Sequence, residues 1–220
     1  TYTVKYNGNN NTGGSTSSSS HTYDTAKKLT ANGFTKKGYQ FAGWAKTASG
    51  SVTYADQASV KNLTATNGGT YNLYAKWTAN TYYVSYNGNG NTDGSTAKST
   101  HTYDSASKLT ANGFTRTGYK FIGWNSKADG SGTSYSNGQN VYTLTSTNKG
   151  TVTLYAQWEL VDYTVQYSGN GATDGSTEPT KHTRGEYSAL ATNGFAKAGQ
   201  VFTHYAAGSP RGAPPNAHTA

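Results

Sequence analysis

Short stretches in which apolar and polar residues alternate recur along this chain and predict β-strands. Tyr2, Val4 and Tyr6 occupy alternate positions, so one face of an extended segment would carry all three side chains. Residues 70–77 follow the same alternation. Residues 7–14 are rich in Asn and Gly, which tolerate a positive φ and favour a turn. The pattern predicts a protein built mainly from short strands.

An aromatic segment recurs at the centre of each unit. Tyr39 and Phe41 share one face of a predicted strand. Gly43 then allows a β-bulge or a close backbone approach, which would turn Trp44 toward that same face. Residues 118–124 repeat this segment, and residues 199–205 carry an eroded form of it. We expect each copy to form the aromatic core of a small domain, with Trp44 and its counterpart Trp124 buried.

One segment departs from the strand pattern. Residues 25–32 predict one or two turns of helix, with Asp24 or Thr25 as the N-cap and Gly33 as the stop. The predicted fold class is therefore mainly β or α+β.

The whole pattern repeats along the chain. Residues 1–51 and 81–131 are identical at 34 positions, and a third, partial copy follows at a shift of 161. A period near 80 residues is too long for a solenoid, whose units have about 20–50 residues. The predicted boundaries are listed here: repeat 1 at 1–79, repeat 2 at 80–160, a partial repeat 3 at 161–205 and a divergent tail rich in Pro, Gly and Ala at 206–220. Linkers of four residues between the repeats predict an elongated array.

Composition limits the chemistry that this chain can perform. It has no Cys, which excludes disulfides, thiolate metal sites and catalysis by a thiol. The net charge of +8 is spread over all copies, which favours weak attraction to anionic polymers over sequence-specific nucleic-acid recognition. No apolar run approaches the roughly 20 residues that span a bilayer, and we predict no membrane insertion. The chain begins at Thr1, and we expect it to be a processed product or a segment of something longer.

Three candidate sites have a simpler structural interpretation. One His per repeat, at His21, His101 and His182, is too few for a metal site, which needs three or four converging ligands. No nucleophile elbow accompanies these His residues, so we predict no enzyme activity and no cofactor. Residues 87–93 place Asn and Asp at alternate positions, as a calcium loop does, but a Gly- and Asn-rich hairpin turn is the competing interpretation.

With these motifs assembled, the repeat unit resembles a known family. The opening Tyr-x-Val-x-Tyr strand, residues 118–125, residues 127–135 and the closing Leu-Tyr-Ala-Gln-Trp at 154–158 carry the resemblance. It is to the Listeria–Bacteroides repeat, a relative of the internalin B-repeat. The resemblance implies β-grasp-like domains in a secreted or cell-wall-attached bacterial surface protein, where such repeats serve as stalks and adhesive spacers. It transfers no catalytic residue.

We therefore predict a structural and adhesive segment of an extracellular surface protein; the alternative is a glycan-binding module appended to a secreted enzyme. The expected partners are anionic or neutral glycans, wall polymers or a host surface. Exposed Tyr rings stack on sugars, and Lys supplies polar contacts. The candidate ligand contacts are Tyr23, Tyr103, Tyr54, Tyr135, Lys27 and Lys28.

Overall fold

The computed structural model describes residues 1–207, and all of their regular structure is β-strand. The prediction of a mainly β fold is confirmed. The chain divides into two compact units, Thr1–Glu159 and a second that begins at Leu160, and each is described separately below. Residues 208–220, which make up most of the predicted tail, lie outside the described residues.

Repeat 1 forms one mixed sheet and two small strand pairs. Its strands are β1 (Tyr2–Asn7), β2 (Gly13–Gly14), β3 (Ser19–His21), β4 (Lys27–Lys28), β5 (Phe34–Thr35), β6 (Tyr39–Ala45), β7 (Ser59–Val60) and β8 (Thr70–Ala79). The main sheet has the order β3-β1-β8-β6, while β2 pairs with β5 and β4 with β7. The central pair is parallel, with Val4 opposite Tyr71 and Tyr6 opposite Leu73.

Alternation along β1 and β8 builds the core, as the sequence predicts. Tyr2, Val4 and Tyr6 are buried, and Leu73 and Ala75 are fully buried on the neighbouring strand. Because alternate residues of a strand face the same side, these two strands place one apolar face under the sheet. Three further buried side chains complete the cluster: Leu29, Trp44 and Val60.

The predicted bulge is present in β6. The register with β8 shifts between Phe41 and Gly43, and Gly43 has a φ of 140°. The shift returns Trp44 to the core side, where its ring lies 4.9 Å from Phe41, centroid to centroid. Trp44 is fully buried. The predicted burial of this Trp is therefore confirmed, and so is that of Trp124.

Repeat 2 has the same organisation with one added edge strand. Its strands are β9 (Thr81–Asn87), β10 (Asp93–Gly94), β11 (Ser99–Thr102), β12 (Ser107–Lys108), β13 (Phe114–Thr115), β14 (Tyr119–Asn125), β15 (Ser134–Tyr135), β16 (Asn140–Val141) and β17 (Thr151–Leu160). The main sheet has the order β11-β9-β17-β14-β15. The counterpart of β15 in repeat 1 is a single bridge between Trp44 and Tyr54.

The helix predicted over residues 25–32 is wrong. This segment contains β4, and no helix occurs anywhere in residues 1–207. The Leu29 amide donates to the Ala58 carbonyl at 3.0 Å, and the Thr30 amide donates to the Tyr6 hydroxyl at 2.8 Å. Partners distant in sequence therefore satisfy the backbone groups that a helix would have satisfied locally.

The described residues of the second unit form the early part of a repeat. Its strands are β18 (Asp162–Val165), β19 (Asp174–Gly175), β20 (Thr180–Thr183) and β21 (Phe195–Ala196), and they form the pairs β18-β20 and β19-β21. Leu190, the counterpart of the buried Leu29, is 53% exposed. The described residues of repeat 3 therefore leave exposed a Leu position that the two complete repeats bury.

Candidate functional site

The two predicted lysines and Tyr23 lie at the surface of repeat 1. Lys27 and Lys28 form β4, and both side chains are exposed. The Lys27 ammonium donates to the Ser20 carbonyl at 2.7 Å, which fixes its position beside β3. Tyr23 is 48% exposed. The side chains of these three residues are accessible to a ligand. Neither Lys27 nor Lys28 lines one of the described cavities.

Tyr103, the counterpart of Tyr23, has a different environment because it packs against repeat 1. Its ring meets the ring of Tyr39 edge to face, with 5.8 Å between the centroids. The Tyr39 hydroxyl donates to the Asp104 carboxylate at 3.0 Å, and the Lys36 ammonium lies 4.3 Å from the centre of the Tyr39 ring. Burial, and then the bond to Asp104, raises the pKa of Tyr39. The structure therefore places Tyr103 in a contact between repeats.

The linker residue Asn80 lies at the centre of this contact. It is buried, its amide donates to the Gly38 carbonyl at 2.8 Å, and its carbonyl accepts from the Tyr103 amide at 2.9 Å. Its side-chain amide donates to the Ser146 carbonyl at 2.7 Å. Gly38 has a φ of 76°, and a Cβ at this position would overlap the Tyr103 ring. We call these contacts of Gly38, Tyr39, Asn80, Tyr103 and Asp104 the inter-repeat contact.

Tyr54 and Tyr135, the remaining predicted contacts, are half-buried and pack against the cores of their repeats. Each lies opposite the central Trp on the edge of its sheet, Tyr54 against Trp44 and Tyr135 against Trp124. Their main contacts are therefore structural. Tyr135 also borders an open cavity, so this residue contacts both the core of repeat 2 and the cavity.

This cavity has a volume of about 320 Å³ and belongs to repeat 2. Its lining carries no charged side chain; the residues with polar or aromatic groups are Trp124, Asn125, Ser134, Tyr135, Ser136, Gln139 and Gln157. Amide and hydroxyl groups beside an aromatic ring suit a neutral ligand rich in hydroxyl groups. We call this feature the repeat 2 cavity.

A buried Asn shapes the loop beside this cavity. The Asn125 side chain donates to the Gly130 carbonyl at 3.0 Å and accepts from the Lys127 and Gly132 amides at 2.9 and 3.0 Å. Repeat 1 has Ala45 at this position. Sequence reasoning identified Tyr135 and missed the two Gln side chains of the cavity. The available signal was the difference between repeats, since Gln157 replaces Lys76 and repeat 2 has one inserted residue near Gly132.

The three equivalent histidines are structural in their contacts. His21 and His101 are buried, each stacks on a Tyr ring at 5.4 Å, and each Nε2 is 2.8 Å from a Ser hydroxyl. Burial lowers the pKa of both, with Lys27 adding to the effect at His21. His182 is buried in the same arrangement, stacked on Tyr163. Within residues 1–207, no group of three or more His, Asp or Glu is placed to hold a metal ion.

The loop that mimics calcium spacing is held as a turn. The Asn87 side chain accepts from the Asn89 amide at 2.8 Å, and Asp93 accepts from the amide of Gly94 at 2.6 Å. The Asn89 side chain donates to the carbonyls of Ala128 and Ala156. These bonds engage the polar groups in local and cross-strand contacts, as the hairpin interpretation requires.

The main sheets of repeats 1 and 2 share the order of their first four strands, and a buried linker residue joins the two repeats. This arrangement defines a tandem-repeat β protein. Comparison with known families gives the same result. The model of the Listeria-Bacteroides repeat domain matches residues 2–76 and 82–157, which together exceed half of the chain. The chain belongs to this family, and the resemblance noted from the sequence is confirmed.

Two similar proteins come from Evansella cellulosilytica. One, provisionally named a Gly-rich membrane protein, is 36% identical over 140 residues, which cover 62% of this chain and 16% of the relative. The other, provisionally named a membrane protein, is 35% identical over 128 residues, which cover 56% of this chain and 17% of the relative. The matches thus span about a sixth of each relative. No solved structure matches the chain. The described residues include no helix able to cross a membrane.

Proposed function

We propose that this chain is a non-enzymatic spacer segment of a bacterial surface protein, in which repeats 1 and 2 dock as a rigid pair. The family to which it belongs occurs on bacterial surface proteins, and both relatives carry names of membrane proteins. These facts support an extracellular or cell-wall location. The proposal includes a β-grasp-like repeat, which the central parallel strand pair of each sheet supports.

The inter-repeat contact is the observation that carries this proposal. A spacer transmits position or force only if its repeats resist bending relative to each other. The buried Asn80 has its amide, its carbonyl and its side-chain nitrogen hydrogen-bonded to the two repeats that it joins. A linker residue with these three groups bonded has little freedom to rotate, although the Asn80 side-chain oxygen is buried without a partner.

Spin labels in the full chain test the rigid pair. The chain has no Cys, so Ser49→Cys in repeat 1 and Lys108→Cys in repeat 2 place one label in each repeat at exposed positions. We expect a narrow distribution of label distances and a broader one after Tyr103→Ala, which removes the ring beside Tyr39. The matched control is Tyr23→Ala, which alters the equivalent exposed ring. A broad distribution in the unaltered chain would refute rigid docking.

Weak adhesion is the second part of the proposal, with anionic polymers as the partners. The net charge of +8 and the exposed Lys27 and Lys28 support it. Each exposed contact with a polyanion is weak and screened by salt, so affinity would come from many contacts on one chain. We expect the full chain to be retained on immobilised heparin at low salt and released as salt rises. Lys27→Ser with Lys28→Ser should lower the salt concentration of release, and retention that is independent of salt would exclude this mechanism.

Neutral glycan binding, as in a module appended to a secreted enzyme, is the competing proposal. The repeat 2 cavity favours it, because its lining combines Tyr135 with amide groups and has no charge. Binding of neutral oligosaccharides that is lost in Gln157→Ala and insensitive to salt would support the module over the polyanion-binding spacer. Titration followed by the fluorescence of the Trp residues provides the measurement.

A further inference from the structure

The first and last strands of each complete repeat are neighbours in its main sheet. β1 and β8 pair in parallel, from Thr3 opposite Thr70 to Asn7 opposite Tyr74. β9 and β17 form the equivalent parallel pair in repeat 2. The two strands of a parallel pair start at the same end. The chain therefore enters repeat 1 at one end of this pair and leaves it from the other end, at Ala79.

The linker between the repeats continues directly from one of these pairs to the next. β8 ends at Ala79 and β9 begins at Thr81, so Asn80 alone lies between them. Asn80 is buried and hydrogen-bonded to both repeats. A pull along the chain would therefore cross from β1 into β8, pass through Asn80 into β9 and cross again into β17.

Backbone hydrogen bonds join β1 and β8 from the first residue of the chain onward. The Gly68 amide donates to the Thr1 carbonyl at 2.8 Å, and the Thr3 amide donates to the Gly69 carbonyl at 2.9 Å. Repeat 2 has the two equivalent bonds. Because the entry and the exit of the repeat lie at opposite ends of the pair, a pull between them slides β1 past β8 and loads these bonds together.

Two side chains extend this connection beyond the last paired residues of β1. The Asn9 side chain donates to the Ala75 carbonyl of β8 at 2.9 Å, and the Trp77 indole donates to the Gly8 carbonyl at 3.0 Å. Repeat 2 has both bonds, at 2.9 and 2.8 Å. Each bond joins the loop after the first strand to the last strand of the repeat, so it resists the same sliding motion.

The other strands of the main sheet do not receive the pull directly. In repeat 1 these are β3 and β6, which pair antiparallel with β1 and β8, respectively. Both strands lie inside the repeat, and neither contains its entry or its exit. The parallel pair is therefore the part of the sheet that must fail before a pulled repeat can extend.

We propose that this parallel pair is a mechanical clamp, through which each complete repeat bears tension along the chain. The clamp consists of β1 and β8 in repeat 1, or β9 and β17 in repeat 2, with the two side-chain bonds of each. The proposal rests on the proposed spacer function and specifies the load that the spacer carries. Bonds that are sheared share the force, whereas bonds that are opened from one end break one after another. The clamp is therefore strongest in the direction that the chain itself imposes.

Optical tweezers test the clamp in the full chain, with handles on introduced Cys residues. The chain has no Cys, so the handles attach only where they are intended. Handles at Thr1→Cys and Thr78→Cys shear the pair. Handles at Thr1→Cys and Thr66→Cys open it from one end, since Thr1 and Thr66 line the same small cavity. All three positions are exposed. At one loading rate, we expect the unfolding force of repeat 1 to be at least about twofold higher in shear.

An equivalent Asn in each repeat provides a matched control. Asn9→Gly removes the bond to Ala75, and Gly keeps the left-handed backbone that both Asn9 and Asn89 adopt, with φ of 48°. With the shearing handles in repeat 1, Asn9→Gly should lower the unfolding force, whereas Asn89→Gly should leave it unchanged. With the opening handles, Asn9→Gly should have no effect, because its bond lies at the far end and breaks last. A general loss of stability would lower the force in both geometries.

Repeat 2 offers the same comparison should a handle position destabilise repeat 1. Thr81→Cys with Glu159→Cys shears its parallel pair, and Thr81→Cys with Thr147→Cys opens it; all three positions are exposed. Equal forces in the two geometries of a folded repeat, or equal effects of Asn9→Gly in both, would overturn the clamp. Rigid docking of the two repeats is tested separately by the spin-label distances, so the two proposals can fail independently.

Discussion

Repeats 1 and 3 begin with equivalent residues and form equivalent first strands, yet they differ in burial. In repeat 1, Tyr2 and Leu29 lie under the sheet, while their counterparts Tyr163 and Leu190 are about half exposed. The local hydrogen bonds of Tyr6 are nevertheless reproduced by Tyr167. Local contacts therefore suffice to form the first strand pair, but burial of the core requires a strand that arrives about 70 residues later in the chain.

The difference in burial between complete and partial repeats also applies to the aromatic residue at the central Trp position. Trp44 and Trp124 are fully buried among rings from three strands. Tyr205, at the same position, contacts the rings of Tyr167 and Phe202 within the described part of repeat 3. The same position is thus a core residue in a complete repeat and a partly covered one in repeat 3. The predictions below test this contrast.

The largest effect is expected from the central Trp. Trp124→Ala should lower the free energy of unfolding of repeat 2 by about 3–5 kcal/mol, because it removes the largest buried side chain of that core. Tyr205→Ala, its matched control in repeat 3, should change stability by much less. Urea unfolding followed by circular dichroism provides the measurement, and similar losses for the two variants would contradict the contrast.

The Leu position gives a second, closely matched pair. Leu109→Ala should cost about 2–5 kcal/mol, since Leu109 is 2% exposed. Leu190→Ala, where the side chain is 53% exposed, should stay within about 0.5 kcal/mol of the unaltered chain. A cost at Leu190 as large as that at Leu109 would show that repeat 3 is already covered.

Two equivalent glycines separate backbone strain from the inter-repeat contact. Gly38 and Gly199 have φ of 76° and 71°, so Ala at either position should cost about 1–2 kcal/mol for the left-handed backbone. Gly38→Ala should cost more, because its Cβ would also overlap the Tyr103 ring, while a Cβ at Gly199 meets no atom within 4 Å. Thermal unfolding compares the two variants. Equal shifts in melting temperature would indicate that the Tyr103 ring moves freely away.

The smallest effect is expected from pH, because it depends on two side chains. Burial lowers the pKa of His21 and of His101 in the folded state, so the unfolded chain binds protons more readily. Stability should therefore be constant above pH 6.5, the unperturbed value, and decrease as pH falls below it. The double variant His21→Gln with His101→Gln should lose part of this dependence. Urea midpoints between pH 5 and 8 test this, and a midpoint that rises in acid would contradict it.

Several features of the fold follow directly from local sequence. Alternation identified β1 and β8, and Gly between two aromatic residues identified the bulge at Gly43, because side-chain direction in a strand depends only on its own backbone. The internal repeats identified which residues are equivalent. The burial of Trp44 followed from the same pattern, since the aromatic face of a strand must pack against the rest of its domain.

The candidate site was less accessible to sequence reasoning. Tyr23 and Tyr103 are identical in local sequence, yet Tyr23 is exposed and Tyr103 packs on another repeat. The repeat 2 cavity depends on Asn125 and on a loop with one added residue, and only the assembled sheet shows which side chains line it. Local sequence does not distinguish a ring that faces solvent from one that faces a neighbouring repeat.

The sequence by itself determined the repeats, the faces of their strands and the aromatic composition of each core. Only the tertiary structure decided that residues 25–32 are not helical, that β1 and β8 pair in parallel and that Asn80 joins two repeats. The physical reason is the distance along the chain between partners. Leu29 finds its backbone partner at Ala58, and Tyr6 lies opposite Leu73. A backbone N–H or C=O group forms its hydrogen bond with the partner that the assembled fold places beside it. The local sequence does not indicate which residue that partner is.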